Sequence, residues 1–131
     1  MKRLLSVLLV LVVVLGATPV SAKVVGISAS PNPAGLGDRV RHTVEVGVYG
    51  RLEVWVSAAG FERPGTGTLP AGTWIYECCP GQTAGTAAWH YRSSSAGPGW
   101  YRFGVVSRMR GSFLSTAMAG GSSAGVWVRV F

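Results

Sequence analysis

No acidic residue follows Glu77. Five arginines do follow it (Arg92, Arg102, Arg108, Arg110 and Arg129), so the second half of the chain is purely cationic. A fixed positive field of this kind favours anionic partners, such as envelope polymers, acidic glycans or nucleic acid, and it also serves solubility alone. Lysine is nearly missing, with Lys2 and Lys23 the whole supply. Aspartate occurs once, at Asp38, and histidine twice, at His42 and His90. Cysteine occurs as a single adjacent pair, Cys78–Cys79. A helical hydrophobic period is absent from residue 23 onward, which excludes a helical domain.

These shortages limit catalysis. A Ser-His-Asp triad would have to use Asp38. Gly121-Ser122-Ser123-Ala124-Gly125 has the spacing of a nucleophile elbow, but that motif needs a strand before it, a helix after it, and an acid and a histidine downstream. Here the chain ends six residues later. His42, His90, Cys79 and Met118 offer the ligand types of a blue-copper site. Such sites, however, draw the cysteine, one histidine and the methionine from one short loop, and a strand separates Cys79 from His90. The reading is therefore a non-enzyme with no metal and no cofactor.

Residues 1–22 read as an export signal. Lys2 and Arg3 give a charged start, Leu4 to Leu15 is almost unbroken aliphatic, and Val20-Ser21-Ala22 offers small residues for cleavage. The apolar run is about a dozen residues, where a membrane helix needs roughly twenty, which favours a cleaved signal over a retained anchor. The expected location is secreted, periplasmic or at the cell surface. Residues 23–131 then form one domain. Twelve basic residues less Lys2 and Arg3, against five acids, leave it a net charge of +5.

That domain reads as strands and turns. Val40, His42, Val44, Val46 and Val48 alternate with Arg41, Thr43, Glu45 and Gly47, the cleanest half-buried strand in the chain. Shorter alternations predict strands over 24–30, 51–58, 73–78, 86–92, 100–109 and 126–131. Leu52/Val54/Val56, Tyr101/Phe103/Val105 and Val126/Val128/Val130 face inward. Residues 111–125, small and polar, are predicted as a long loop. His42 falls on the valine face as a packed core residue, whereas His90 falls opposite Trp89 and is predicted to be exposed. About seven short strands in a hundred residues predict an antiparallel β-sandwich.

The segments Ser28-Ala29-Ser30-Pro31-Asn32-Pro33, Gly37-Asp38-Arg39-Val40 and Gly99-Trp100-Tyr101-Arg102-Phe103 resemble those of bacterial immunoglobulin-like domains. The resemblance implies adhesion, assembly or display at the cell surface, and it makes Tyr101 the candidate for a tyrosine that hydrogen-bonds back to a nearby corner. The chain lacks the inter-sheet disulfide of antibody domains, because no cysteine lies on its second or sixth predicted strand.

If the third, sixth and seventh predicted strands are neighbours, as that topology has them, Trp55, Trp100, Arg102, Trp127, Arg129 and Phe131 share one outer face. Aromatics interleaved with arginines suit sugar rings, bases or a hydrophobic partner. Two other readings stand beside this one. Trp55 is the buried strand-three tryptophan of the family, or the loop over 111–125 covers the face. The expected function is an exported binding module of the cell envelope that takes its ligand on this face. The first alternative is a structural or assembly protein pairing with another chain or with itself. The second is a binder of an anionic polymer, either acidic glycan or nucleic acid.

Cys78 and Cys79 have three outcomes open to them: a bond to each other, a bond to a partner chain, or two free thiols. Adjacent residues on opposite faces of a strand cannot bond each other, but Pro80-Gly81 ends the strand. The hypothesis is a vicinal disulfide that stiffens this turn. Intact-mass analysis reads it: no alkylation without reductant is expected, and uptake of two alkyl groups would contradict it.

Overall fold

The computed structural model describes residues 23–78 and 87–131. The export segment 1–22 and Cys79 therefore lie outside the described residues, and the vicinal disulfide with them. Among the described residues no helix is long and apolar enough to cross a membrane.

Eight strands follow in order: β1 (Val25–Ser30), β2 (Arg39–Val46), β3 (Gly50–Ser57), β4 (Trp74–Glu77), β5 (Ala88–Ala96), β6 (Gly99–Val106), β7 (Gly111–Ala119) and β8 (Ser122–Val130). They make two facing layers, a three-stranded sheet ordered β1-β2-β6 and a five-stranded sheet ordered β4-β5-β3-β7-β8. Every pairing within them is antiparallel. The two-sheet sandwich expected from the alternation is present.

The inward rows are buried except at their outer members Tyr101 and Val126, which are half-buried. Val40, Val44 and Val46 of β2, Leu52, Val54 and Val56 of β3, Phe103 and Val105 of β6, and Val128 and Val130 of β8 are buried between the layers. Each such side chain contributes about 1.5–3 kcal/mol by leaving water.

The segment predicted as a loop over 111–125 is instead a β-hairpin. β7 pairs with β8 from Gly111↔Val130 to Ala119↔Ser122. Gly120 and Gly121 form the two-residue turn, with φ of 56° and 76°. Two successive residues at positive φ are what a tight turn matching the strand twist requires, and glycine supplies them without a Cβ clash. This adds a strand and changes the neighbours. β6 pairs with β2, while β3 pairs with β7. The β2–β6, β3–β7 and β7–β8 pairings are the B–E, C–F and F–G neighbours of the immunoglobulin-like scheme, with the β4–β5 hairpin added beside β3.

Two sheet edges are covered by the chain itself. Along β6, the segment after β3 runs as a strap. Glu62 donates to the Val106 carbonyl (3.0 Å), Gly65 to that of Gly104 (3.1 Å) and Thr68 to that of Arg102 (2.8 Å). The strap is tied to the larger sheet by Trp74 Nε1, which donates to the Gly65 carbonyl, and by the Tyr91 hydroxyl, which donates to that of Pro70. Gly67 is needed where the strap turns: its φ is +54°, and a Cβ there would lie 2.0 Å from the Arg102 oxygen.

Along β8, Asn32 acts as a substitute strand. Its side-chain amide donates to the Trp127 carbonyl (2.9 Å) and accepts from the Arg129 N–H (3.1 Å). Ala34 and Leu36 continue the seam to Arg129 and Phe131. Covered edges cannot recruit another strand.

Candidate interaction surfaces

The six residues expected on one face fall on two: Trp55, Trp127, Arg129 and Phe131 on the outer side of the larger sheet, Trp100 and Arg102 on that of the smaller. Trp55 keeps the predicted parity, pointing away from Leu52, Val54 and Val56, yet it is only 7% exposed. It lies directly opposite His90 on β5 and Thr116 on β7. Its indole stacks on the His90 ring, with centroids 4.6 Å apart and planes 7° from parallel. His90, predicted to be exposed, is 4% exposed. Glu77 reaches its Nδ1 at 3.1 Å and Glu53 its Nε2 at 3.3 Å. Alternation gave the direction of these two rings and missed their mutual cover. Trp55 is therefore not part of an open binding face.

Trp100 and Arg102 lie on the outer face of the smaller sheet. They stand opposite Glu45 and Thr43 of β2, which in turn oppose Gly26 and Ser28 of β1. Trp100 is 53% exposed. Just beside it, the Tyr101 hydroxyl donates to the Gly97 carbonyl at 2.6 Å and ties the β5–β6 turn; on β6 this is the E-strand position, not the F-strand corner that the resemblance implied. It stands at the head of the strand that pairs with β2.

Trp127, Arg129 and Phe131 lie on the outer side of the other sheet, along β8. Trp127 is 64% exposed and Phe131 57%. The Arg129 guanidinium sits 5.1 Å from the centre of the Phe131 ring. Trp127 stands opposite Leu114 and Arg129 opposite Ser112. Leu36, also exposed, is fixed at the same end through its bond to the Phe131 carbonyl. Hence the expected common face is not assembled. Two separate exposed sites remain, an aromatic row on β8 and a polar face carrying Trp100.

The pieces of a triad have structural posts. His42 Nε2 and Ser115 Oγ share a 2.8 Å hydrogen bond between the two sheets. Both residues are fully buried, so no substrate reaches the hydroxyl. The His42 ring stacks on Phe103, with centroids 4.9 Å apart. Burial lowers its pKa to about 4, and a backbone contact at Val40 offsets only part of that. Asp38 accepts the Gly35 N–H (2.8 Å) and closes a turn. The elbow-like Gly121–Gly125 run is the hairpin turn and the start of β8. Among the described residues no group of three or more His, Cys, Asp or Glu side chains is placed to hold a metal ion.

No protein-family model matches the chain, and no curated protein matches it. Among solved structures it is similar to a non-cellulosomal cohesin from the hyperthermophilic archaeon Archaeoglobus fulgidus. The identity is 16%, the TM-score is 0.45, and the match covers 83% of this chain and 92% of that one. At that level the similarity carries no argument about function, and the sandwich rests on its own strand pairings.

Proposed function

We propose that this chain is a non-catalytic interaction module that pairs with another protein chain through the β8 row Trp127, Arg129 and Phe131. The observation that carries this reading is the pair of large aromatics, Trp127 on β8 and Phe131 just beyond its end, both more than half exposed, with an arginine between them. Exposed tryptophan, phenylalanine and arginine in one patch is the composition of protein-interface hot spots. The capped edge supports contact by side chains and not by strand addition. In keeping with the export signal read in residues 1–22, the encounter takes place outside the cytoplasm, at the cell envelope.

A photo-crosslinking residue at position 127 of the full chain, expressed in its own host, tests this. A discrete adduct is expected, reduced at least tenfold by Phe131→Ala and absent when the crosslinker replaces Tyr49, which is exposed elsewhere. An adduct of twice the chain mass identifies a second copy as the partner. Any other discrete mass identifies a different chain. No adduct, or equal yields from positions 127 and 49, would contradict the proposal.

A further inference from the structure

The outer face of the smaller sheet has a chemistry unlike that of the β8 row. Register fixes its rows from one end to the other: Gly26–Glu45–Trp100, Ser28–Thr43–Arg102, Ser30–Arg41–Gly104, and Arg39 beside Val106. Arg39, Arg41 and Arg102 are all exposed, and none is within ion-pair distance of a carboxylate among the described residues. Arg39 lies across the sheet: a Cβ on Gly104 would come within 3.2 Å of its guanidinium. Glu45 shares one end of the face with Lys23, and Glu62 of the strap lies beside Val106 at the other.

The face is not flat. Three shallow concavities follow one another along it, lined by Thr68, Trp100 and Arg102, by residues that include Gly26, Ser28, Thr43 and Trp100, and by Ser30, Pro31, Arg39 and Arg41. The small residues of β1 keep one side low. From the Trp100 row to Arg39 the trough runs roughly 20 Å at strand rise.

We infer that this trough binds a linear acidic polysaccharide, with Trp100 stacking on a sugar ring and Arg39, Arg41 and Arg102 pairing with its carboxylate or sulfate groups. Three unpaired guanidiniums ask for successive anionic groups, which a neutral glycan lacks. The hydroxyls of Ser28, Ser30, Thr43 and Thr68 suit the hydroxyls of sugars. A single aromatic over this length favours a polysaccharide over single-stranded nucleic acid, which is held by bases stacked in succession on several rings. The site is on the other layer from β8 and stands independently of the protein-pairing reading.

Polygalacturonate, neutral dextran and an oligothymidylate, titrated against the domain at low salt, test the inference. Polygalacturonate is expected to bind, more weakly as salt rises, and dextran is not. Arg41→Ala with Arg102→Ala should weaken polygalacturonate at least tenfold. Arg108→Ala with Arg110→Ala, which removes the same charge elsewhere, should change it less than twofold. Trp100→Ala should weaken it while leaving the salt dependence unchanged. All these side chains are exposed, so an unchanged melting temperature shows the variants folded. Equal losses from the two arginine pairs, or tighter binding of oligothymidylate than of polygalacturonate, would overturn the inference.

Discussion

Lowering the pH from 7 to 4 is expected to remove about 3 kcal/mol of folding stability through His42 alone. The ring is neutral in the folded protein because burial lowers its pKa to about 4, against an ordinary 6.5. Between those values the unfolded chain binds a proton that the folded chain refuses, so stability is lost as pH falls through the window and is fully present above it. The ring cannot simply turn out to solvent, since it is stacked on Phe103 and bonded to Ser115 of the opposite sheet. His42→Leu leaves the Ser115 hydroxyl unpaired and lowers stability at neutral pH, but its urea midpoint should fall less steeply between pH 6.5 and 4. Equal pH slopes for the two proteins would show that His42 takes up its proton as readily folded as unfolded.

Phe103→Ala should cost about 3–5 kcal/mol, a large share of the roughly 5–15 kcal/mol typical of a whole domain. Phe103 is on the smaller sheet, and besides stacking on His42 it meets Trp74 of the larger one at 5.1 Å between centroids. Truncation would leave a cavity between the sheets and remove the cover of the buried imidazole. Phe103→Leu keeps most of the volume and should cost about 1.5 kcal/mol or less. Urea unfolding at pH 7 measures both. A loss below 1 kcal/mol for the alanine variant would mean that the layers do not meet at this ring.

Strand rows built on large apolar residues were legible in the sequence. β2, β3, β6 and β8 each alternate valine, leucine or phenylalanine with polar residues, and each buries most of the expected set, with Val48, Tyr101 and Val126 only half-buried. β7 was not legible, and the reason is steric. It lies inside the larger sheet, between β3 and β8, and after Phe113 its inward positions are only Ser115, Ala117 and Ala119. Bulk comes from the opposite layer, where the His42 ring reaches over to Ser115. A strand of small residues facing large ones has no apolar rhythm of its own and reads as a loop. Missing it put the sixth strand beside the third and joined Trp100 to Trp127, which in fact lie on opposite layers. Trp55 and His90 illustrate a second limit: a period of two gives the face, but two rings on adjacent strands can bury each other there.

The path of β7 beside β3 is what places the aromatic row on the opposite layer from the polar trough. Cross-strand backbone Overhauser contacts in the labelled domain read this directly. Val54 should lie beside Ala117, and Ala117 beside Ala124, with Phe103 beside His42. Contacts from Val54 to Phe103, with residues 111–119 giving no cross-strand signal, would contradict it and return all six aromatic and arginine residues to a single face.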